Sequence, residues 1–213
     1  MKRYTLLFLL AFTPLLQGEE PVAALKKGNE RFANNTPLHE KISPEERKKL
    51  SLGQNPIATI VACADSRVAP ELLFDQGPGE LFVVRLAGNT VDAFALASIE
   101  FGLSYLKTPL LVVMGHQDCG AVIAAFDLEE GAFSPKLTAL LEKIRPATER
   151  ALKENPGKSR DELVEIATWN NVAQTRDEIL RQIPAAARME KEGKLQVEQG
   201  VFDIKSGMVL WKK

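Results

Sequence analysis

The chain has 213 residues, 45% of them hydrophobic and 26% charged, with a formal net charge of −1. That is the makeup of one globular domain with a sizeable core, not of a disordered chain. Charge near zero, no basic block and only 7% aromatic residues leave out the basic stripe and the base-stacking platform of a nucleic-acid binder.

The first residues read as an export signal. Lys2 and Arg3 start it, a mostly apolar stretch runs from Thr5 to Leu16, and the small Gly18 precedes Glu19 and Glu20. The apolar stretch is short for a bilayer span. The expectation is a signal over residues 1–18, removed on export to the periplasm. A mature domain over 19–213 would then have no membrane attachment. Leu16-Gln17-Gly18 departs from the small-x-small cleavage pattern.

Pro21 to Asn34 is an amphipathic helix by pattern, with Val22, Leu25 and Phe32 on one face. Ser43-Pro44-Glu45-Glu46 is a capped helix start, and that helix stops by Gly53. Ile57 to Cys63 is a continuous apolar run, as expected of a strand buried on both faces. Pro70 opens a short helix to Phe74, and a turn-rich loop over 75–80 leads into a strand over Leu81–Arg85. The pattern then predicts a helix over Thr90–Leu106 capped by Asn89 or Thr90, and a buried strand over Leu110–Gly115. A further helix runs from Gly120 to near Gly131. Two longer ones cover Leu137–Lys153 and Arg160–Gln182, separated by Asn155-Pro156-Gly157. Val197–Ile204 and Met208–Trp211 form a hairpin pattern around Lys205-Ser206-Gly207. Alternating strands and helices predict a single α/β domain: a mainly parallel central β-sheet flanked by helices, with a C-terminal edge β-ribbon.

The chemistry sits at the ends of two buried runs. The first ends in Cys63-Ala64-Asp65-Ser66-Arg67, the second in His116-Gln117-Asp118-Cys119-Gly120. Open α/β sheets place ligands at the carboxyl ends of their strands. Thiolate and imidazole are the ligands zinc prefers, and three of them leave one tetrahedral position open, the catalytic arrangement. Plainer readings stand beside this one. Two cysteines in an exported protein often form a disulfide. His116 and Asp118 could cap a helix, and Asp65 with Arg67 could be an ordinary salt bridge.

Cys63-x-Asp65-x-Arg67 with His116-x-x-Cys119-Gly120 resembles the β-class carbonic anhydrases. Gly28-Asn29-Glu30-Arg31-Phe32 and Gly79-Glu80-Leu81-Phe82-Val83-Val84-Arg85 are similar too. The likeness runs from about Ala24 to the C-terminal strand. It implies one zinc ion per chain on Cys63, His116 and Cys119, and reversible hydration of CO2 to bicarbonate by zinc-bound hydroxide. It also implies a catalytic dyad of Asp65 and Arg67, with Asp65 on the metal only in a closed state. Gln54 falls where the plant-like, open-site branch carries a glutamine that hydrogen-bonds substrate, and no Trp occurs before Trp169. Phe82, Ala87 and Phe101 would seat the apolar CO2. Two positions depart from the family pattern: Phe101 replaces a tyrosine, and Ala121 a second glycine. His39 is the only other histidine and is expected on the surface. A homodimer or tetramer is implied. Hydrolysis of carbonyl sulfide or carbon disulfide would use the same motifs, and a structural zinc with Asp65 as a permanent fourth ligand is the non-catalytic alternative.

Overall fold

The computed structural model describes residues 20–38 and 43–213. The expected signal over 1–18 and the loop residue His39 lie outside the described residues.

The sheet has five strands: β1 (Ala58–Cys63), β2 (Leu81–Leu86), β3 (Leu110–His116), β4 (Gln196–Phe202) and β5 (Val209–Trp211). Their order is β2-β1-β3-β4-β5. The first four are parallel neighbours and β5 is antiparallel to β4. The expected C-terminal ribbon is therefore built into the sheet: its first strand is an inner strand beside β3, and only the three residues of β5 form the edge.

β1 and β3 are buried along their whole length because helices cover both faces of the sheet. Their side chains alternate between two cores. Val61, Leu111 and Val113 face one, with Ile99, Val172 and Ile179. Ile60, Ala62, Val112 and Met114 face the other, with Leu25, Leu73 and Phe74. Each such side chain contributes roughly 1.5–3 kcal/mol by leaving water.

Among the described residues eight α-helices pack around the sheet: α1 (Pro21–Ala33), α2 (Pro44–Leu50), α3 (Pro70–Leu73), α4 (Ala93–Glu100), α5 (Gly120–Phe126), α6 (Pro135–Glu154), α7 (Arg160–Gln182) and α8 (Pro184–Lys191). Ser43 caps α2 and Ser159 caps α7, each in a capping box with the glutamate three residues on. The helix expected over Thr90–Leu106 starts later. Asp92 caps it by accepting from Ala95 N–H at 2.8 Å, and Phe101–Tyr105 is a π-helical turn. The helix expected to reach Gly131 stops at Phe126. α8 was not expected from the sequence: Pro184 begins it at its first position.

Candidate metal centre

β1 sits between β2 and β3, so the chain leaves β1 toward one edge of the sheet and leaves β3 toward the other. A crevice opens at the carboxyl ends of two strands whose connections diverge in this way. β1 ends on Cys63 and β3 on His116. Asp118, at φ 52, turns the chain so that Cys119 falls at the N-cap of α5. The two sulfurs and a ring nitrogen of His116 lie within 4.8 Å of one another, on three buried residues.

Both cysteines are free, with sulfurs 4.0 Å apart, so the structure does not hold the disulfide alternative. His116 Nδ1 lies 2.9 Å from the Gln117 carbonyl oxygen. A carbonyl only accepts, so Nδ1 carries the proton and Nε2 presents its lone pair. Nε2 is buried without a hydrogen-bond partner. Leaving such an atom unpaired costs about 1–3 kcal/mol. A metal ion at the cluster would satisfy it, and two sulfurs with one imidazole nitrogen are the donors zinc takes.

Main-chain donors prepare the sulfurs. Cys63 Sγ accepts from Gly88 N–H at 3.2 Å and from Asp65 N–H at 3.4 Å. Cys119 Sγ sits over the N–H groups of Ala121 and Val122 in the first turn of α5. Cys63 is the thiol that ionises first. The hydrogen bond from Cys119 holds its thiolate well below the usual thiol range, against the opposing effect of burial. The shared proton and burial push Cys119 up.

Asp65 and Arg67 form a fork. Arg67 Nε donates to Oδ1 at 2.9 Å and a terminal nitrogen donates to Oδ2 at 2.8 Å, while Arg67 N–H also reaches Oδ1 at 2.9 Å. These bonds hold the Asp65 carboxyl far below the usual carboxylate range. Asp65 Oδ2 is 3.8 Å from His116 Nε2, so the carboxylate borders the cluster. Arg85 was not assigned a role from sequence. It extends from β2 to donate to the Cys63 carbonyl at 2.9 Å and the Asp65 carbonyl at 2.6 Å. The available clue was an arginine near the end of an otherwise apolar strand.

The expected substrate residues divide between the two ends of the sheet. Ala87 follows β2 at the carboxyl end, next to Gly88. Phe82 pairs with Thr59, four residues down the sheet from Cys63, or about 13 Å along a strand. Phe101 packs on Phe82 at 6.1 Å between ring centroids. Gln54 is exposed and lines a depression with Leu50, Pro78 and Gly79, at the amino ends of β1 and β2. A single chain therefore assembles Cys63, Asp65, Arg67, Ala87, His116 and Cys119, and keeps Gln54, Phe82 and Phe101 apart from them.

A family model described as carbonic anhydrase matches residues 58–209, a span that holds the whole cluster. Among solved structures, two tetrameric β-carbonic anhydrases from Sordaria macrospora are similar, at 26% identity and a TM-score of 0.72. That likeness covers 79% of this chain and 86% of the other. The chain belongs to the β-class carbonic anhydrases. Within this family, carbonic anhydrase 2 of Mycobacterium tuberculosis is 54% identical over 108 residues, which is 49% of this chain and 52% of that relative. The match thus spans about half the length of that relative. The carbonic anhydrase of Pseudomonas aeruginosa is 34% identical over 168 residues, 76% of either chain.

Proposed function

We propose that the chain catalyses the reversible hydration of CO2 to bicarbonate and a proton, with one zinc ion per chain held by Cys63, His116 and Cys119. The observation that carries this is the buried Cys-His-Cys cluster with an unpaired Nε2 and an arginine-locked carboxylate at its border. When bound, zinc lowers the pKa of a water from about 15.7 to near 7, so that hydroxide is available at neutral pH.

Asp65 stays ionised through the neutral range because Arg67 grips both of its oxygens. It therefore accepts, never donates, and orients an O–H at the centre so that the oxygen lone pair faces the substrate. With both carboxylate oxygens committed to Arg67, Asp65 is kept off the fourth ligand position, which supports the open-site reading. Ala87 contributes an apolar wall. Gln54 supplies an amide N–H to a substrate oxygen as charge develops there. Phe82 and Phe101 complete an apolar seat for CO2.

The separation of these residues within one chain supports a homodimer. β2 is an edge strand, only half-buried, and beside it Phe94 is 85% exposed, Tyr105 78% and Phe101 45%. Isolated apolar residues at a surface are ordinary, but a cluster along a sheet edge marks an interface. A two-fold axis pairing the β2 edges antiparallel sets the amino end of one strand against the carboxyl end of its mate. Each chain then delivers Gln54, Phe82 and Phe101 to the metal centre of the other. The Sordaria macrospora relatives are described as tetrameric, which supports a pair of such dimers. We also place the mature chain in the periplasm on the charged, apolar and small-residue pattern of residues 1–18. Recovery of the chain in the cytoplasmic fraction with Met1 still at its N-terminus would refute that placement.

The test of the activity is metal analysis of the purified chain with a stopped-flow CO2 hydration assay. About one zinc per chain and rapid hydration are expected, and Asp65→Ala should keep the zinc while losing most of the hydration rate. A variant as fast as the parent, or a zinc-loaded parent that does not hydrate CO2, would overturn the reading.

A further inference from the structure

The hydrogen bond from Gly88 N–H to the sulfur of Cys63 depends on a turn of two successive left-handed residues. Gly88 is left-handed at φ 62 and ψ 27, and Asn89, which carries a side chain, follows at φ 45. Asparagine is among the side-chain-bearing residues that accept this conformation, but the direction in which the turn points its N–H is set by what packs on it. What fixes the turn is α7. Asn171, 1% exposed, donates from Nδ2 to the Gly88 carbonyl at 2.7 Å and lies 3.5 Å from Asn89 Oδ1. α7 comes this close because β3 carries Gly115 at the contact: a Cβ there would stand 2.8 Å from Cγ2 of Val172, the residue after Asn171. From the other side, Ile144 of α6 leaves no room for a side chain on Gly88, whose Cβ would meet Ile144 Cδ1 at 2.6 Å.

We propose that Asn171 is a positioning residue for the metal centre: by anchoring the Gly88 carbonyl it aims the Gly88 N–H at the Cys63 sulfur and limits the electron density that thiolate gives the metal. The proposal rests on the zinc reading above. An N–H pointed at a thiolate stabilises the sulfur lone pairs. Its loss raises them, which lowers the energy needed to move an electron from sulfur to the metal. Partners of metal ligands commonly change metal affinity by 10–100-fold when removed. Asn171 was invisible in the sequence, where it is one asparagine within a long helix.

The test uses the full chain with cobalt(II) in place of zinc, compared across the parent, Asn171→Leu, Asn171→Ser and Val172→Ala. Leucine keeps the bulk and removes the donor; Val172→Ala loosens the same helix–strand contact without touching Gly88. The readouts are the position of the thiolate-to-cobalt charge-transfer band and the zinc dissociation constant from chelator competition. Asn171→Leu should move the band to lower energy and change zinc affinity by about 10–100-fold, with the Val172→Ala band at the parent's position. If Asn171→Leu does not fold, Asn171→Ser is judged by the same two readouts. An unshifted band with unchanged zinc affinity overturns the proposal, as does an equal shift in Val172→Ala. A parent chain that shows no such band would instead bring down the zinc reading itself.

Discussion

Arg85 is the residue whose weight is easiest to underestimate. It touches neither sulfur nor imidazole, yet its guanidinium holds the carbonyls of Cys63 and Asp65 together. The first of these carries a metal ligand and the second the bordering carboxylate, so the arm fixes the distance between them. Arg85→Leu should retain zinc and lose about 10–100-fold in kcat/KM, the range seen when supports of a metal site are removed. Zinc content by atomic absorption and CO2 hydration kinetics on one preparation check this. Asn29 shows the same dependence at a purely structural position. Its amide donates to the carbonyls of Leu73 and Gly207 at 3.1 and 2.8 Å and accepts from Val209 N–H at 2.7 Å. Asn29→Ala leaves those three main-chain groups unpaired, and a loss of about 2–4 kcal/mol in a urea titration is expected.

Among the elements, α7 ties the sheet to the site: it packs on β3, α6 and the Gly88 turn. Its start is secured by Glu162. That carboxylate takes the Lys158 ammonium at 2.6 Å and the Ser159 N–H at 2.9 Å, and the Lys158 contact first, then Ser159, hold it down to about 2 from an ordinary 4.5. A carboxylate depressed in the folded state favours folding above its unfolded pKa. That contribution is therefore fully present above about pH 4.5 and disappears as pH falls through about 2. Glu162→Gln should be less stable than the parent at pH 6, and the gap should close toward pH 2. Chemical denaturation at several pH values measures it; a gap that is constant with pH would assign the cap no charge contribution.

For the whole molecule, the decisive matter is that one chain holds the metal ligands at the carboxyl end of the sheet and Gln54, Phe82 and Phe101 at the amino end. If two chains exchange these ends across β2, two inactive variants should rescue each other. Cys63→Ala lacks the metal site and Gln54→Ala lacks the amide donor. A mixed dimer contains one site damaged twice and one site with both groups intact. Dissociating and remixing the two variants should recover about a quarter of parental activity: half of the dimers are mixed under random pairing, and each has one intact site. Activity no greater than the sum of the separate variants would place Gln54 outside the partner's site. Phe94→Glu, on the exposed patch, should shift the chain toward monomer in analytical ultracentrifugation and lower activity with it.

The sequence alone determined the central strands, most helices and the pairing of His116 with Cys119, because each has a local cause. β1 and β3 are continuous apolar runs, the starts of α2 and α7 are local hydrogen-bond exchanges, and His116 and Cys119 stand three residues apart on one turn. It misplaced the start of α4, where Asp92 outcompetes Asn89 and Thr90 as a cap, and it overlooked α8, which Pro184 starts. Neighbouring strands, by contrast, are chosen by packing between residues far apart in the chain. Only the folded molecule could bring Cys63 within reach of the His116–Cys119 turn as free thiol, set Asn171 against Gly88 through the gap left by Gly115, and part Gln54 and Phe101 from the cluster they were expected to serve.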